Sequence, residues 1–356
     1  GVYIGLSETS YFQQDRLGST DLAKLFKAPA NWWYGSNYNP HREPRKWIFG
    51  NDRDYGHGFH YLLLEGEEVY QTKCTISPYD TFTTKEAREW RDRAHLDGLV
   101  ILSEKMDRHI RHMVALVANH PQLAEPMASG LSEVTVFWTD EQGHRLRARF
   151  DKLLRAYILD PKSFSAAHAG NDDHERALRI VANLSYDVQR YLYDVAREKL
   201  VEFAQTGAVF GGAPNEQAWI KDFPAADAER LAERMEFYPA GHPDQQSAWS
   251  WCWLFLQKPS DSKAHAPVVL PMERPRFDLT WRTGEAKTVK ALENFDQFVA
   301  MYGLGDRPNA EGGPAVPWAG IHPLWRPRDE DFPSWMGNIS AREHTGSELD
   351  QEDESE

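Results

Sequence analysis

The sequence predicts an α/β fold in which helices are layered on a central sheet. Three observations point there. Apolar residues recur at helical spacing across 56–128, change to strand-like alternation across 131–164, and return to a helical period across 172–205. A strongly apolar strand-like run, "SAWSWCWLFLQKP", and a further helical stretch follow. Helix, three strands, helix, strand is the order of an α/β layer architecture. At 356 residues, with 41% hydrophobic and 26% charged residues, the chain has the make-up of a globular protein with a sizeable core.

The elements can be justified in order. In "STDLAKLFKAPANWWYG", Ser19 suits an N-cap, Leu22, Leu25 and Phe26 form an apolar stripe, and Pro29 ends the helix. "GHGFHYLLLEGEE", "TKEAREWRDRAHLDG" and "SEKMDRHIRHMVALVANHP" continue the helical pattern. "SEVTVFWTDEQGHRLRARFDKLLRAYILDPKS" reads as three strands, with a turn near 140–143 and a short connection near 155–157. One long helix is expected over 172–205. Further on, "SAWSWCWLFLQKP" and "APVVLPM" read as strands and "TWRTGEAKTVKALENFDQFVAMYG" as a helix. The predicted organisation is an N-terminal extension over 1–50, a main domain over 51–325, and an acidic, aromatic-poor tail over 326–356 expected to be disordered.

Composition excludes several classes. No apolar run approaches the ~20 residues that span a bilayer, and "GVYIGLSETSY" lacks the basic and apolar regions of a secretory signal. Two cysteines, Cys74 and Cys252, exclude a Cys-rich zinc module and give no disulfide framework, so a cytoplasmic setting is expected. The net charge of −14 argues against a nucleic-acid partner at first sight. Much of the acid is concentrated in the tail, however, while "HRLRARFDKLLR" is locally basic, and the local field matters more than the sum.

The stretch "ARFDKLLRAYILDPKS" carries the chemistry. Asp160 and Lys162 are two apart on a strand and share a face. On the preceding strand Arg145, Arg147, Arg149 and Asp151 share the odd-numbered face. If Asp151 lies beside Asp160, two carboxylates and an ammonium converge, and close carboxylates repel unless a cation sits between them. Oxygen ligands suit magnesium or manganese. The competing reading is a solvated strand end with a weak surface ion pair. His60, in the first turns of "GHGFHYLLLE", is either a ligand or a half-buried core histidine. Gln189 and Tyr193 stand at i and i+4 on one helix face, which a helix packed on the sheet would also produce. Glu133 is given no role.

The ordered set His60, Asp151, Asp160-Pro161-Lys162, Gln189-x-x-x-Tyr193 resembles the RecB-like branch of the PD-(D/E)xK nucleases, and more narrowly the RecE-type phage exonucleases (exodeoxyribonuclease VIII-like). The resemblance runs over roughly 19–321. It implies a restriction-endonuclease-like core with a central mixed sheet flanked by helices. It further implies that His60, Asp151, Asp160 and the Pro161 carbonyl hold Mg2+, with Mn2+ able to substitute, and that Lys162 positions the attacking water. Gln189 and Tyr193 would lie near the active site and the DNA backbone. Arg145, Arg147 and Arg149 would face phosphates, with a salt-bridged strand face as the equal alternative. The implied reaction is metal-dependent hydrolysis of linear double-stranded DNA from its ends, 5′ to 3′, leaving 3′ single strands for phage-type recombination. Implied partners are duplex DNA ends, a single-strand annealing recombinase and further copies of the chain in a ring. An endonuclease on the same core, or a catalytically silent DNA-end-binding scaffold, are the alternatives.

Two departures stand out. Pro161 occupies the middle of the D-x-K triplet, where it removes an amide donor from the ladder but keeps the carbonyl. The strand at 251–257 ends in Gln257 and Lys258, without the acid expected there.

Overall fold

The computed structural model describes residues 1–42, 48–50, 52–121, 123–164, 173–226, 228–229, 250–257, 269–275 and 279–318. The expected tail over 326–356 lies outside these residues. The expected α/β layering is present. Seven strands form one mixed sheet in the order β7-β1-β4-β5-β6-β8-β9. They are β1 (Val2–Ile4), β4 (Leu131–Thr139), β5 (Arg145–Leu153), β6 (Tyr157–Phe164), β7 (Val209–Gly211), β8 (Ser250–Gln257) and β9 (Val269–Pro275). β4, β5 and β6 are an antiparallel meander, β6 pairs with β8 in parallel, and β9 returns antiparallel to β8. β1 pairs antiparallel with β4 and parallel with β7, so the first residues of the expected extension are built into the sheet.

Helices cover both faces. On one side α2 (Ser19–Lys27), α10 (Tyr186–Thr206) and α12 (Leu279–Tyr302) bury Leu22, Leu25, Val188, Leu192, Ala291 and Phe295 against Val134, Val136, Ala148 and Phe150. On the other, α4 (Asp52–His60) and α7 (Glu104–Ala118) bury Tyr55, Phe59, Met106, Ile110 and Met113 against Leu159 and β8. β8 explains its own apolar run. Trp251, Trp253 and Phe255 point into the first core and Cys252, Leu254 and Leu256 into the second, as in an interior strand buried on both faces.

Three details differ from the sequence expectation. Gly18, not Ser19, caps α2, its N–H bonded to Asp21 Oδ2 at 2.9 Å. The helix expected over 172–205 is two helices, α9 (Asp173–Leu184) and α10, broken at Ser185, which adopts the left-handed conformation with φ 58°. The apolar period continues across the break and so hides it. A two-stranded parallel ladder, β2 (Cys74–Ile76) with β3 (Val100–Leu102), lies within the region expected to be wholly helical. Three-residue strands are too short to show a period of two.

Candidate metal centre

The site begins with a split in the sheet. The β5–β6 hairpin closes with Leu154 N–H donating to the Tyr157 carbonyl at 3.0 Å, and pairing continues through Leu153↔Ile158 and Lys152↔Leu159. There it stops. Backbone groups of Tyr157, Leu159 and Pro161 turn toward β5, because direction alternates along a strand. Pro161 has no N–H, so the next rung cannot form. On the other side β6 stays paired with β8 from Tyr157↔Ser250 to Phe164↔Gln257. The proline therefore removes a donor only where the strands diverge, and it leaves the parallel ladder intact.

A second irregularity faces the split. Ser132 pairs with Lys152 and Val134 with Phe150, while Glu133 and Asp151 between them are unpaired. Phe150 and Leu153 lie in the same core although they are three residues apart, as do Val134 and, packed against it, Leu131. Alternation thus slips by one residue on both strands. Glu133 has φ 56°, and it and Ser185 are the non-glycine residues with positive φ among the described residues. Such a conformation costs about 1–3 kcal/mol and marks functional sites more often than ordinary strand. Both residues border this site.

The expected residues largely converge. Asp160 is fully buried, and its Oδ2 lies 2.7 Å from Lys162 Nζ, which is 3.8 Å from Asp151 Oδ2. Gln189 Nε2 donates to Asp160 Oδ1 at 2.8 Å. His60 comes from the opposite face of the sheet, through the split, and its ring approaches the Pro161 backbone. Proline offers only a carbonyl, toward which the imidazole could donate. Gly58 allows this approach, since a Cβ there would meet Leu102 at 2.9 Å. A π-helical turn, Tyr61–Glu65, follows His60 directly.

Other expected residues make further contacts. Tyr193 is buried edge-on to Phe150 and Trp251, at 5.6 and 5.7 Å between ring centres, and burial raises its hydroxyl, with Asp151 and Asp160 near enough for their charges to add. Arg147 donates to the Tyr11 carbonyl at 2.8 Å and pairs with Asp21 at 3.2 Å. Arg149 donates to Thr135 Oγ1 at 2.9 Å and to the Leu6 carbonyl at 2.8 Å. These two form the salt-bridged strand face that was the alternative to a phosphate-facing one. Arg145 is exposed and pairs with Asp15 at 3.3 Å. Two residues were missed. Tyr186 holds its ring 5.1 Å from Lys162 Nζ, and it precedes Gln189 by three residues on the same helix face, a spacing that could have flagged it. Glu133 is the other, and the turn at 140–143 already sets it opposite Asp151.

Electrostatics favour a cation. Burial, and then the charge of Asp151, push Glu133 up to about 8. Burial, and then Asp151 working against Lys162, push Asp160 up to about 7. Burial raises Asp151 as well. Burial disfavours the charged form of Lys162, but Asp160 and Asp151 outweigh it and hold the ammonium above the usual lysine range. Burial, reinforced by Lys162, pushes His60 down to about 4, so its ring is neutral at physiological pH. One nitrogen serves Pro161 and the other is left as a ligand, the arrangement by which an outer partner fixes a ligating tautomer.

The donor set fits a divalent cation. Ligating atoms of His60, Glu133 and Asp151 all lie within 4.8 Å of one another, and Asp151 Oδ2 is a buried oxygen without a hydrogen-bond partner. Two carboxylates and one imidazole suit a divalent cation. Asp160, tied to Lys162 and Gln189, stands beside this group.

Comparison with known proteins agrees with the fold. Residues 66–210 match the family described as "PDDEXK-like domain of unknown function (DUF3799)", a segment that contains Glu133, Asp151, Asp160, Lys162, Gln189 and Tyr193. The mixed sheet with helices on both faces is accordingly a PDDEXK-like core. A solved structure described as a "Putative exonuclease" from Eubacterium rectale aligns with 10% identity over 83% of this chain and 88% of that chain, at a TM-score of 0.44. At that level the likeness carries no argument about activity. No curated protein matches. Among the described residues no helix is long and apolar enough to cross a membrane.

Proposed function

We propose that the chain is a divalent-metal-dependent deoxyribonuclease. The observation that carries the reading is the Lys162 ammonium, 2.7 Å from Asp160 and beside the His60–Glu133–Asp151 group at the split between β5 and β6. A strand-end ion pair of purely structural use has no reason to be buried with three further ionisable groups.

When bound, a divalent cation supplies Lewis acidity toward a phosphoryl oxygen and acidifies water. The chain supplies the rest. His60, Glu133 and Asp151 bind the cation. Asp160 holds the Lys162 ammonium in place, with Gln189 fixing the carboxylate from the far side. The ammonium orients a water and stabilises charge developing on the phosphate as the phosphodiester opens. Tyr186 shields the ammonium from bulk water.

Within this class we favour an exonuclease of the RecE type, acting on linear duplex ends with Mg2+ and leaving 3′ single strands for an annealing recombinase. The motif order from His60 to Tyr193 supports this finer reading, and the PDDEXK-like match supports the nuclease class alone. Digestion of end-labelled linear duplex with Mg2+, using phosphorylated and unphosphorylated 5′ ends beside covalently closed circles, tests it. Linear DNA should shorten from its ends while closed circles persist. Cutting of closed circles at the linear rate would instead indicate an endonuclease on the same core, and no Mg2+-dependent degradation of either would end the nuclease reading.

A further inference from the structure

This inference rests on the nuclease reading above and concerns what holds the Asp160–Lys162 pair in place. Two contacts to that pair come from the start of α10. Tyr186 sets its ring 5.1 Å from Lys162 Nζ, and Gln189 donates to Asp160 Oδ1 at 2.8 Å. Helix ends fray, because the first N–H groups have no partner within the helix. Here the helix starts from Ser185, in the left-handed conformation, and its side chain makes no cap hydrogen bond. The Ser185 Oγ is buried without a partner. A turn that must hold two site residues in register therefore lacks a side-chain cap.

It is held instead by α12. Asp187, between the two site residues in sequence, is buried. Its Oδ1 accepts from Val188 N–H at 3.0 Å, and its Oδ2 accepts from Lys287 Nζ at 2.6 Å. Three residues before Lys287, a Cβ added at Gly284 would stand 2.1 Å from the Asp187 carbonyl oxygen and 3.0 Å from Tyr191 Cβ, so α12 lies flush against this turn. Trp281 meets Tyr191 edge-on at 5.1 Å between ring centres. Residues 281, 284 and 287 share one face of α12. On α10, Asp187 and Gln189 are two residues apart and project from nearly opposite sides. The grip of α12 is thus on the back of the turn whose front carries Gln189. A buried ion pair adds little net stability over an apolar pair of similar volume, and its best-attested use is to fix register.

We propose that Gly284 and Lys287 are positioning residues for the reaction. Acting on Asp187, they set the first turn of α10 so that Gln189 stays on Asp160 and Tyr186 beside Lys162. The family match ends at residue 210, so both lie outside the segment that carries the D-x-K and Gln-x-x-x-Tyr motifs.

The test compares the parent with Gly284→Ala and with the double variant Asp187→Asn, Lys287→Met. The double variant removes both charges together and so leaves no buried ion unpaired, while asparagine keeps an oxygen for Val188. Cleavage of linear duplex with Mg2+ is measured below the melting transition of every sample, beside calorimetric titration with Mn2+ alone. A slightly misplaced group can cost up to about 10²-fold in rate, so kcat should fall about tenfold or more in both variants. KM for DNA and Mn2+ affinity should stay within about threefold of the parent, because neither variant touches the His60–Glu133–Asp151 group. If Gly284→Ala does not fold, the double variant decides alone. A folded double variant with a smaller fall in kcat overturns the inference and leaves the pair a stabilising role only. A matching loss of Mn2+ affinity also overturns it, since the change would then have spread to the cation site. A parent without Mg2+-dependent cleavage removes the nuclease reading and the inference together, whereas an active parent with equally active variants removes the inference alone.

Discussion

The imidazole of His60 reaches the backbone of Pro161 across the split between β5 and β6. One residue comes from a helix on one face of the sheet, the other from the strand whose pairing its own ring interrupts. The proline that departs from the D-x-K pattern thus opens the gap through which the histidine reaches the carboxylates. Its carbonyl, expected as a cation ligand, faces the imidazole.

Because that contact uses the carbonyl, Pro161→Ala should preserve it. The variant should keep Mn2+ affinity within about threefold of the parent. It should also lose up to about 1 kcal/mol of stability in denaturant unfolding, through the freer unfolded chain. An affinity loss of tenfold or more would show that the ring itself, and not only the missing donor, shapes the site.

Lys162 is held by Asp160 at 2.7 Å and lies 5.1 Å from the Tyr186 ring. Lys162→Met should abolish turnover, a fall of about 10²-fold or more for a lost charge-stabilising group, while the cation still binds. Tyr186→Leu removes only a cation–π contact of about 1 kcal/mol, so kcat should drop severalfold with KM unchanged. Tyr186→Phe keeps the ring and should restore the rate. If phenylalanine proved as slow as leucine, the phenol hydroxyl rather than the ring would be the acting group.

Much of this arrangement was legible in the sequence, and the reasons for the rest are physical. The turn "TDEQGHR" fixes the β4–β5 register, and "DPK" on a strand sets Asp160 and Lys162 on one face. Gln189 followed from helical spacing. Glu133 did not: the predicted register sets it opposite Asp151, but strict alternation puts both with the arginines, and no residue type marks the slip at φ 56°. Tyr193 followed from the same spacing. Being one helical turn beyond Gln189 places its ring against Phe150 and Trp251, beside rather than among the carboxylates.

Stability of the cation-free protein should fall as pH rises from about 6.5 to about 8. Glu133 and Asp160 carry folded pKa values of about 8 and about 7, far above their unfolded values of ~4. The folded state therefore retains protons that the unfolded chain has released, and this contribution is lost as pH climbs through the folded values. His60, pushed down to about 4, acts with the opposite sign, but only below its unfolded value of ~6.5. His144 contributes in the same direction as the carboxyls. Burial lowers it, but Asp140 at 2.7 Å and Asp296 at 3.0 Å raise it further. Comparison with Glu133→Gln isolates the carboxyl. Melting curves at pH 6.5 and 8 should show a smaller drop for the variant, and saturating Mg2+ should flatten the parent's drop by replacing the protons. Identical slopes for parent and variant would contradict the assignment.

Asp160 provides the sharpest separation of roles. Its two oxygens are committed to Lys162 and Gln189, and it stands outside the His60–Glu133–Asp151 group. Asp160→Asn keeps the shape and can still accept from one partner, but it leaves the Lys162 ammonium with Asp151 alone at 3.8 Å. Degradation of linear duplex should fall by about 10²-fold or more, as expected when a positioned charge is released. Mn2+ affinity should fall much less than in Glu133→Gln. The variant should also be less stable than the parent without cation near pH 8, by up to about 3–5 kcal/mol, since it leaves a buried ammonium without its carboxylate partner. Equal losses of Mn2+ affinity for Asp160→Asn and Glu133→Gln would place both carboxylates on the cation and return Lys162 to a weaker hold.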